Sequence, residues 1–406
     1  MKIWTFHCYG TLSEHGQMTR HFNFGKRLAA LGHEPVVFVG SHPHNSDIQL
    51  IQGKEKYIVY QDKPFPWVVV RTNTYKNSKI KRLIAMAEYY FNAQKAAKHF
   101  GKPDVVIGSS NYPIVAYLGI RLARKYKAKA IVEIRDLWPE SLVTYGIASG
   151  KSIIVHLMRR FEKYLYIHAD QIIFTMEGAY DYIVDQGWEK DIPPSKVHFI
   201  NNGVDLEVFD DNREHYTFED SDLDDSSTYK VVYTGSLRKS NDQIYTLFDV
   251  IAEMQGKDYE DYRFFIYGKG ELLPELEDIC RKNNYQNVRL KGYVEKKYVP
   301  YILSKCNMNI LNCKANEILK YGGSQNKLFE YLASGHPTIS GESSRYSVIR
   351  SAGCGISEEF ASPKDVALAI RQLRERGIPY EHIRAAAEKF DYKVLTEQLL
   401  DTIEGE

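Results

Sequence analysis

Only five of the 406 residues are cysteine (Cys8, Cys280, Cys306, Cys313 and Cys354), and no two form a CxxC pair. Their odd number and scatter argue against a disulfide framework and for a reducing compartment. Cys306 and Cys313 have no histidine near them, so their spacing suits packing better than zinc. No apolar run approaches the ~18 residues that a membrane span requires. The opening MKIWTFHCYG is too short and too polar for a secretory signal. These absences predict a cytoplasmic chain that is soluble or peripheral on the inner membrane face. An excess of one charge is also missing: 53 Lys and Arg meet 52 Asp and Glu. That balance excludes nucleic acid as a polyelectrolyte partner. GxGxxG after the first strand, GxSxG and the full P-loop GxxxxGK[ST] are absent as well (Gly150-Lys151-Ser152 has Tyr145 where that motif needs its first glycine), which disfavours a Rossmann dehydrogenase, a serine hydrolase and a P-loop nucleotidase.

What is present is an asymmetry beneath that balance. Residues 1–205 carry 27 basic and 18 acidic side chains, and residues 206–406 carry 26 and 34. Short apolar runs alternate with helical patterns in both halves. Expected strands are 2–7, 35–40, 67–72, 104–110, 130–135, 171–175 and 197–202, then 230–235, 263–268, 288–293, 308–312 and 337–340. Continuously apolar strands separated by helices predict parallel sheets covered on both faces. Residues 206–228 are acidic and aperiodic, and read as a linker or surface insertion. The expected architecture is two doubly wound, Rossmann-like α/β domains, 1–206 and 207–385, facing a central cleft, with a final helix over 386–406 packing back on the first.

Five strand ends carry residues suited to an anionic ligand. Gly16 lies between the first strand and a helix, where backbone N–H groups can face an anion, although many such turns contain glycine for geometry alone. In YTGSLRKSN (233–241), Gly235 allows close backbone approach and Arg238 and Lys239 can neutralise a departing diphosphate; a solvated basic loop is the other reading. YGKGE (267–271) places Gly268 after a strand, a weak signal by itself. SQNKLFEYLASGHP (324–337) opens a helix at Ser324 with Asn326, Lys327 and Leu328 in its first turn. Glu330 lies on the same face as Lys327, which suits phosphate and ribose, or a simple Lys–Glu pair. VEIRDLWPES (132–141) ends a strand in Arg135 and Asp136, either a site or a structural pair. Asp220-Ser221-Asp222 is formally a DxD but sits in the acidic stretch, where a solvated surface is expected. Residues 76–100 form a basic helix with apolar positions, suited to an anionic membrane or to ordinary surface packing.

In this order and spacing, Gly16 to Arg20, KPDVVIGSSNYP (102–113), EIRDLWPES, FINNGVD (199–205), YTGSL, YGKGE, NVRLKGYV (287–294) and NKLFEYLASGHP resemble the family 4 glycosyltransferases. The likeness is to the branch that builds bacterial surface polysaccharides, including the L-fucosamine transferases. It implies the GT-B fold and transfer of a sugar from a nucleoside diphosphate sugar, UDP by the family's common usage. It implies retention of anomeric configuration without a catalytic metal or cofactor, and a lipid-linked or oligosaccharide acceptor. It puts Arg238 and Lys239 at the diphosphate and Asn326 and Lys327 beside the phosphates. Leu328 joins the donor-binding turn, Glu330 goes to the ribose, Gly268 and the backbone near Val294 go to the nucleoside, and Gly235 belongs with the donor-binding residues. Gly16 matches the first glycine of a loop whose second is here Gln17. Arg135 stands where the family often has histidine, which leaves Asp136 as the acceptor-activating candidate. The family's other carboxylate position, eight before Glu330, is Gly322. These departures keep two alternatives open: a degenerate nucleotide- or glycan-binding partner subunit, and a GT-B-like nucleotide-sugar epimerase.

Overall fold

The computed structural model describes residues 1–16, 18–43, 46–75, 78–110, 112–239, 241, 243–315 and 317–405. Gln17 lies outside them, as do Lys76 and Asn77 of the basic segment and Ser240 of the basic loop. The chain divides into two compact units, Met1–Asn201 with Tyr392–Glu406, and Asn202–Asp391. The expected crossings were 206/207 and 385/386. The displacement has a local cause: Val204 bridges to Asp391 and its N–H donates to the Phe390 carbonyl at 3.0 Å, which ties both crossings into the second unit.

Among its described residues the first unit has eight strands: β1 Lys2–His7, β2 Glu34–Gly40, β3 Tyr57–Tyr60, β4 Trp67–Val70, β5 Val105–Ser109, β6 Lys129–Ile134, β7 Gln171–Phe174 and β8 Val197–Phe199. Their order is β3-β4-β2-β1-β5-β6-β7-β8, parallel except for β3 against β4. The sheet is apolar on both faces, so residues that alternate along β1 are all buried from Ile3 onward. Phe6 stacks on Phe38 at 4.5 Å, with Trp4 edge-on to both. The helix Tyr392–Glu404 contributes Leu395, Leu399 and Ile403 to the same core as Ile3, Phe24 and Ile107.

The second unit has β9 Tyr229–Thr234, β10 Tyr262–Tyr267, β11 Val288–Gly292, β12 Met308–Ile310, β13 Thr338–Ser340 and β14 Gly355–Ser357, all parallel in the order β11-β10-β9-β12-β13-β14. Strand order reverses at β1/β5 in the first sheet and at β9/β12 in the second. A doubly wound sheet opens a crevice at the carboxyl ends of such a pair, because the connections leave in opposite directions.

The acidic stretch is not a linker. Leu206–His215 is a helix whose N-cap Asp205 accepts from the Val208 N–H at 3.3 Å. Leu206 and Phe209, one turn apart, are buried with Val232 and Phe265. Asp220 caps a short helix, Ser221–Asp224. Among the described residues no helix is long and apolar enough to cross a membrane.

Candidate active site

In the first unit, the carboxyl ends of β1, β5 and β6 hold a buried charge network. Glu133 interrupts the apolar run of β6 and is 3% exposed. A bare carboxylate there would be costly, so its partners are what make the position tenable. Arg20, first residue of the helix Arg20–Ala30, donates from Nε to Glu133 Oε1 at 2.7 Å. Its other nitrogens donate to the carbonyls of Ile200, at 2.9 Å, and Asn201. Ser109 Oγ, ending β5, donates to Glu133 Oε2 at 2.6 Å, and His21 Nε2 lies 2.7 Å from the same oxygen. Burial alone would raise the Glu133 carboxyl; His21 and Arg20 overcome it and hold the group well below its usual range. Burial, opposed by Glu133, lowers His21.

The network continues outward with a fixed sense. His21 Nδ1 lies 3.0 Å from His7 Nδ1, and His7 Nε2 lies 3.3 Å from Arg135 Nη1. An arginine can only donate, so His7 Nε2 accepts and His7 Nδ1 carries the proton, donating to His21 Nδ1. His21 Nε2 then donates to Glu133. The chain orients Arg135, whose Nε is buried without a hydrogen-bond partner. Asp136 is exposed beside it; the surrounding protein raises its carboxyl and the Arg135 guanidinium opposes the rise. Gly16 is half-buried, its N–H bonded to the Leu12 carbonyl at 3.1 Å. Glu133, His7 and His21 were missed in the sequence, although a lone carboxylate inside an apolar strand was a readable signal.

The second unit builds its strand ends from backbone. The N–H groups of Gly235, Leu237 and Gly268 donate to the carbonyls of Tyr267, Lys269 and Gly292 at 2.9, 3.1 and 2.7 Å. The loops after β9, β10 and β11 are thereby laced together. A side chain on Gly268 would run into the Gly235 carbonyl oxygen, and one on Gly270 into that of Leu237. The glycines are required by this close approach, whatever ligand lies above them. Arg238 is half-buried and Lys239 exposed on the resulting ledge. Glu271 accepts its own N–H and that of Lys239, the latter at 3.0 Å; these bonds, aided by Arg238 and Lys239, hold its carboxyl low. Val294 packs half-buried against the core beyond β11.

Across the reversal, the helix beginning near Ser324 spans Asn326–Ala333. Gln325 is its N-cap and its side chain makes no capping bond; Ser324 instead takes the N–H and the side-chain amide of Asn202, at 3.2 and 2.7 Å. Asn326 is half-buried and Leu328 buried. The simple Lys327–Glu330 pair, the alternative reading of this turn, does not form, and both side chains have tertiary partners instead. Lys327 Nζ lies over the Tyr233 ring at 4.0 Å from its centroid, and Glu330 pairs with Lys296. Lys327 has no carboxylate partner among the described residues, and burial lowers its amine to about 7. The DxD is likewise not a bare surface. Lys291 Nζ bridges Asp220 and Asp222 at 2.9 and 2.6 Å, and Arg289 Nε reaches Asp222 at 2.9 Å. These carboxylates are already neutralised by cations, a poor donor set for a metal.

Large apolar side chains are exposed on two helices of the first unit. Lys79–Ala97 presents Ile80, Leu83, Ile84 and Phe91, and Ile153–His168 presents Ile153, Ile154 and Leu157, with Lys81, Lys151 and Arg160 also exposed on or beside them. Tyr117, on the helix between them, stacks on Tyr90 and packs against Phe161, which brings both helices to one side of the unit.

Comparison with known proteins covers most of the chain. Residues 16–208 match the model of Glycosyltransferase Family 4, and residues 228–376 that of Glycosyl transferases group 1. Among solved structures, a sucrose-phosphate synthase (tll1590) from Thermosynechococcus elongatus is 16% identical with a TM-score of 0.70, over 98% of this chain and 97% of that one. Anabaena Alr3699/HepE, in complex with UDP, is 12% identical with a TM-score of 0.67, over 100% of both chains. WaaG, a glycosyltransferase involved in lipopolysaccharide biosynthesis, is 14% identical with a TM-score of 0.61, over 100% of both. No curated protein sequence matches the chain.

Proposed function

The chain is a glycosyltransferase of the GT-B fold, with a family 4 domain followed by a group 1 domain, and from that premise we propose that it moves a sugar from UDP to a lipid-linked or oligosaccharide acceptor of bacterial surface polysaccharide. The reading extends to the L-fucosamine transferase branch on the motifs quoted above. The observation that carries it is the end of β9. Gly235, Arg238 and Lys239 follow that strand, Lys327 lies against its Tyr233, and the strand order reverses beside it. Three cations and the first-turn N–H groups of a helix are a cradle for a diphosphate. The UDP held by HepE and the role of WaaG in lipopolysaccharide synthesis support the donor and the acceptor class respectively.

The acceptor oxygen forms its bond to the anomeric carbon while the bond from that carbon to the diphosphate oxygen breaks. The acceptor proton passes to the departing diphosphate on the same face, so configuration is retained and no metal is required. Arg238, Lys239 and Lys327 stabilise the charge that develops there, with Glu330 on the ribose. Asp136, beside Arg135, orients the acceptor hydroxyl. The apolar and basic side chains of Lys79–Ala97 and Ile153–His168 suit an anionic membrane that presents a lipid-linked acceptor.

Thermal stability measured with nucleoside diphosphates and their sugars tests the donor, and UDP compounds are expected to stabilise most. Arg238→Ala should lower kcat at saturating donor by about 2–4 kcal/mol, with EDTA without effect on the native enzyme. Full turnover by that variant removes Arg238 from the reaction. Co-sedimentation with phosphatidylglycerol vesicles should be lost in Leu83→Glu; equal binding by both proteins excludes this face.

A further inference from the structure

Glu342 follows β13, the strand next to β12 at the reversal. It is 3% exposed, yet its Oε1 has no hydrogen-bond partner. Its backbone is pinned on both sides: its N–H donates to Ser340 Oγ at 3.2 Å and its carbonyl accepts from Ser357 Oγ at 2.6 Å. The carboxyl takes one N–H, that of Gly323. Arg350, whose charge opposes the effect of burial, gives its Nε–H to the Ser357 carbonyl at 3.1 Å. Burial raises the group to about 7. A buried carboxyl that is neither paired nor saturated detracts from stability, and native chains keep such groups where a ligand completes them.

A second acceptor lies beside it. Gln325 Oε1 is also buried without a partner. A Cβ built on Gly323 would fall 2.8 Å from Gln325 Oε1 and 3.0 Å from Glu342 Oε2, so both side chains border the space that this glycine leaves open. Gly323 is not among the residues with positive φ, so its backbone does not demand glycine. Its missing side chain is a matter of room. The two side chains meet beside this glycine, and the atoms left without partners, Glu342 Oε1 and Gln325 Oε1, are both acceptors, which ask for a ligand rich in hydrogen-bond donors and without negative charge. Lys327, two residues beyond Gln325, opens the cradle assigned to the diphosphate.

We propose that Glu342 and Gln325 flank the subsite for the transferred sugar, accepting hydrogen bonds from its hydroxyl groups. The proposal rests on the nucleotide-sugar reading above and assigns within it the residues that distinguish the sugar from the nucleotide. In sequence, position 322, where the resemblance calls for a carboxylate, is glycine; the buried carboxyl arrives from the end of β13 instead.

The test separates sugar from nucleotide. Dissociation constants are measured by calorimetry for UDP, UDP-glucose and UDP-N-acetylglucosamine with the native enzyme, Glu342→Gln and Gln325→Leu. The expected result is UDP affinity unchanged within about twofold in both variants, with the affinity of at least one sugar nucleotide relative to UDP falling about tenfold or more. The unliganded Glu342→Gln protein should melt no lower than the native one, because an unsatisfied buried carboxyl is removed. An unchanged ratio in both variants overturns the sugar subsite while leaving the nucleotide site standing, and a lowered melting temperature assigns Glu342 to structure instead. Failure of the native enzyme to bind any of the three overturns the nucleotide reading, and this inference with it.

Discussion

The two sheets solve the same topological problem in opposite ways. At the β1/β5 reversal the strand ends are filled by charged side chains that satisfy Glu133: it takes Arg20, Ser109 and His21, and donation runs inward to it from Arg135 through His7 and His21, with the Arg135 Nε at the outer end left open. At the β9/β12 reversal the loops after β9, β10 and β11 are laced by backbone hydrogen bonds, Asn312 after β12 accepts from Ser340 Oγ and the Gly341 N–H, and several polar groups nearby are left incomplete. Lys327 lacks a carboxylate, and Glu342 and Gln325 each keep an acceptor without a donor. A saturated network holds its own shape and needs nothing further. An unsaturated one is destabilised by its open valences, and a bound ligand supplies what is missing. On the proposed function, the first unit's reversal mounts Arg135 and the second unit's receives the ligand.

The largest expected effect lies on the saturated side. Glu133→Ala leaves Arg20 and His21 buried without their anion and should destabilise the protein by about 3–5 kcal/mol in denaturant unfolding. The pH dependence has a definite sign. Glu133 is depressed in the native state, so its stabilisation is complete above its unfolded value of 4.5 and is lost as pH falls through the lower native value. His21 is also depressed, so the unfolded chain takes up a proton below about 6.5 that the native state refuses. Native stability should therefore decline from about pH 6.5 downward and more steeply below about 4.5, and Glu133→Ala should lose the second component. Mild loss, below about 1 kcal/mol, would break the comparison by showing that the network is not what holds this end of the sheet.

What was legible in the sequence follows the same division. Strands buried on both faces announced themselves as apolar runs, so nearly every parallel strand was readable. The Tyr57–Tyr60 strand was not, because it is a short, half-exposed antiparallel edge with no helix after it. The helix Leu206–His215 was hidden by its acidity, since only Leu206 and Phe209 carry its buried stripe. The placement of Gly235 and Gly268 in close strand-end loops and of Lys327 in a helix's first turn was readable because loop and helix-start chemistry is local. Glu133 with Arg20, and Glu342 with Gly323, were not, because each carboxylate meets its partner, on a helix start or a loop distant in sequence, only when the sheet is assembled. The alternative Lys327–Glu330 pair is absent for the same reason: neighbours one turn apart lost to Tyr233 and Lys296, which the sequence separates from them.

The smaller effect sharpens the receptor side. Lys327 is brought to about 7 by burial, so the unliganded protein holds a protonated amine below that pH and a neutral one above it. A diphosphate favours the ammonium, so binding above pH 7 must be accompanied by uptake of a proton. UDP affinity should accordingly weaken as pH rises from about 7 toward 9, by up to about tenfold per pH unit where this group dominates. Calorimetry in buffers of different ionisation enthalpy should register the proton. Lys327→Met removes a desolvated amine, so it should bind UDP more weakly at pH 6.5, lose the slope and melt no lower than the native protein. A flat affinity profile between pH 7 and 9 in the native enzyme would mean that Lys327 stays on the Tyr233 ring when the site is filled. The cation count of the receptor then falls to Arg238 and Lys239, and the contrast between the two reversals rests on the carboxyl of Glu342 and the amide of Gln325 alone.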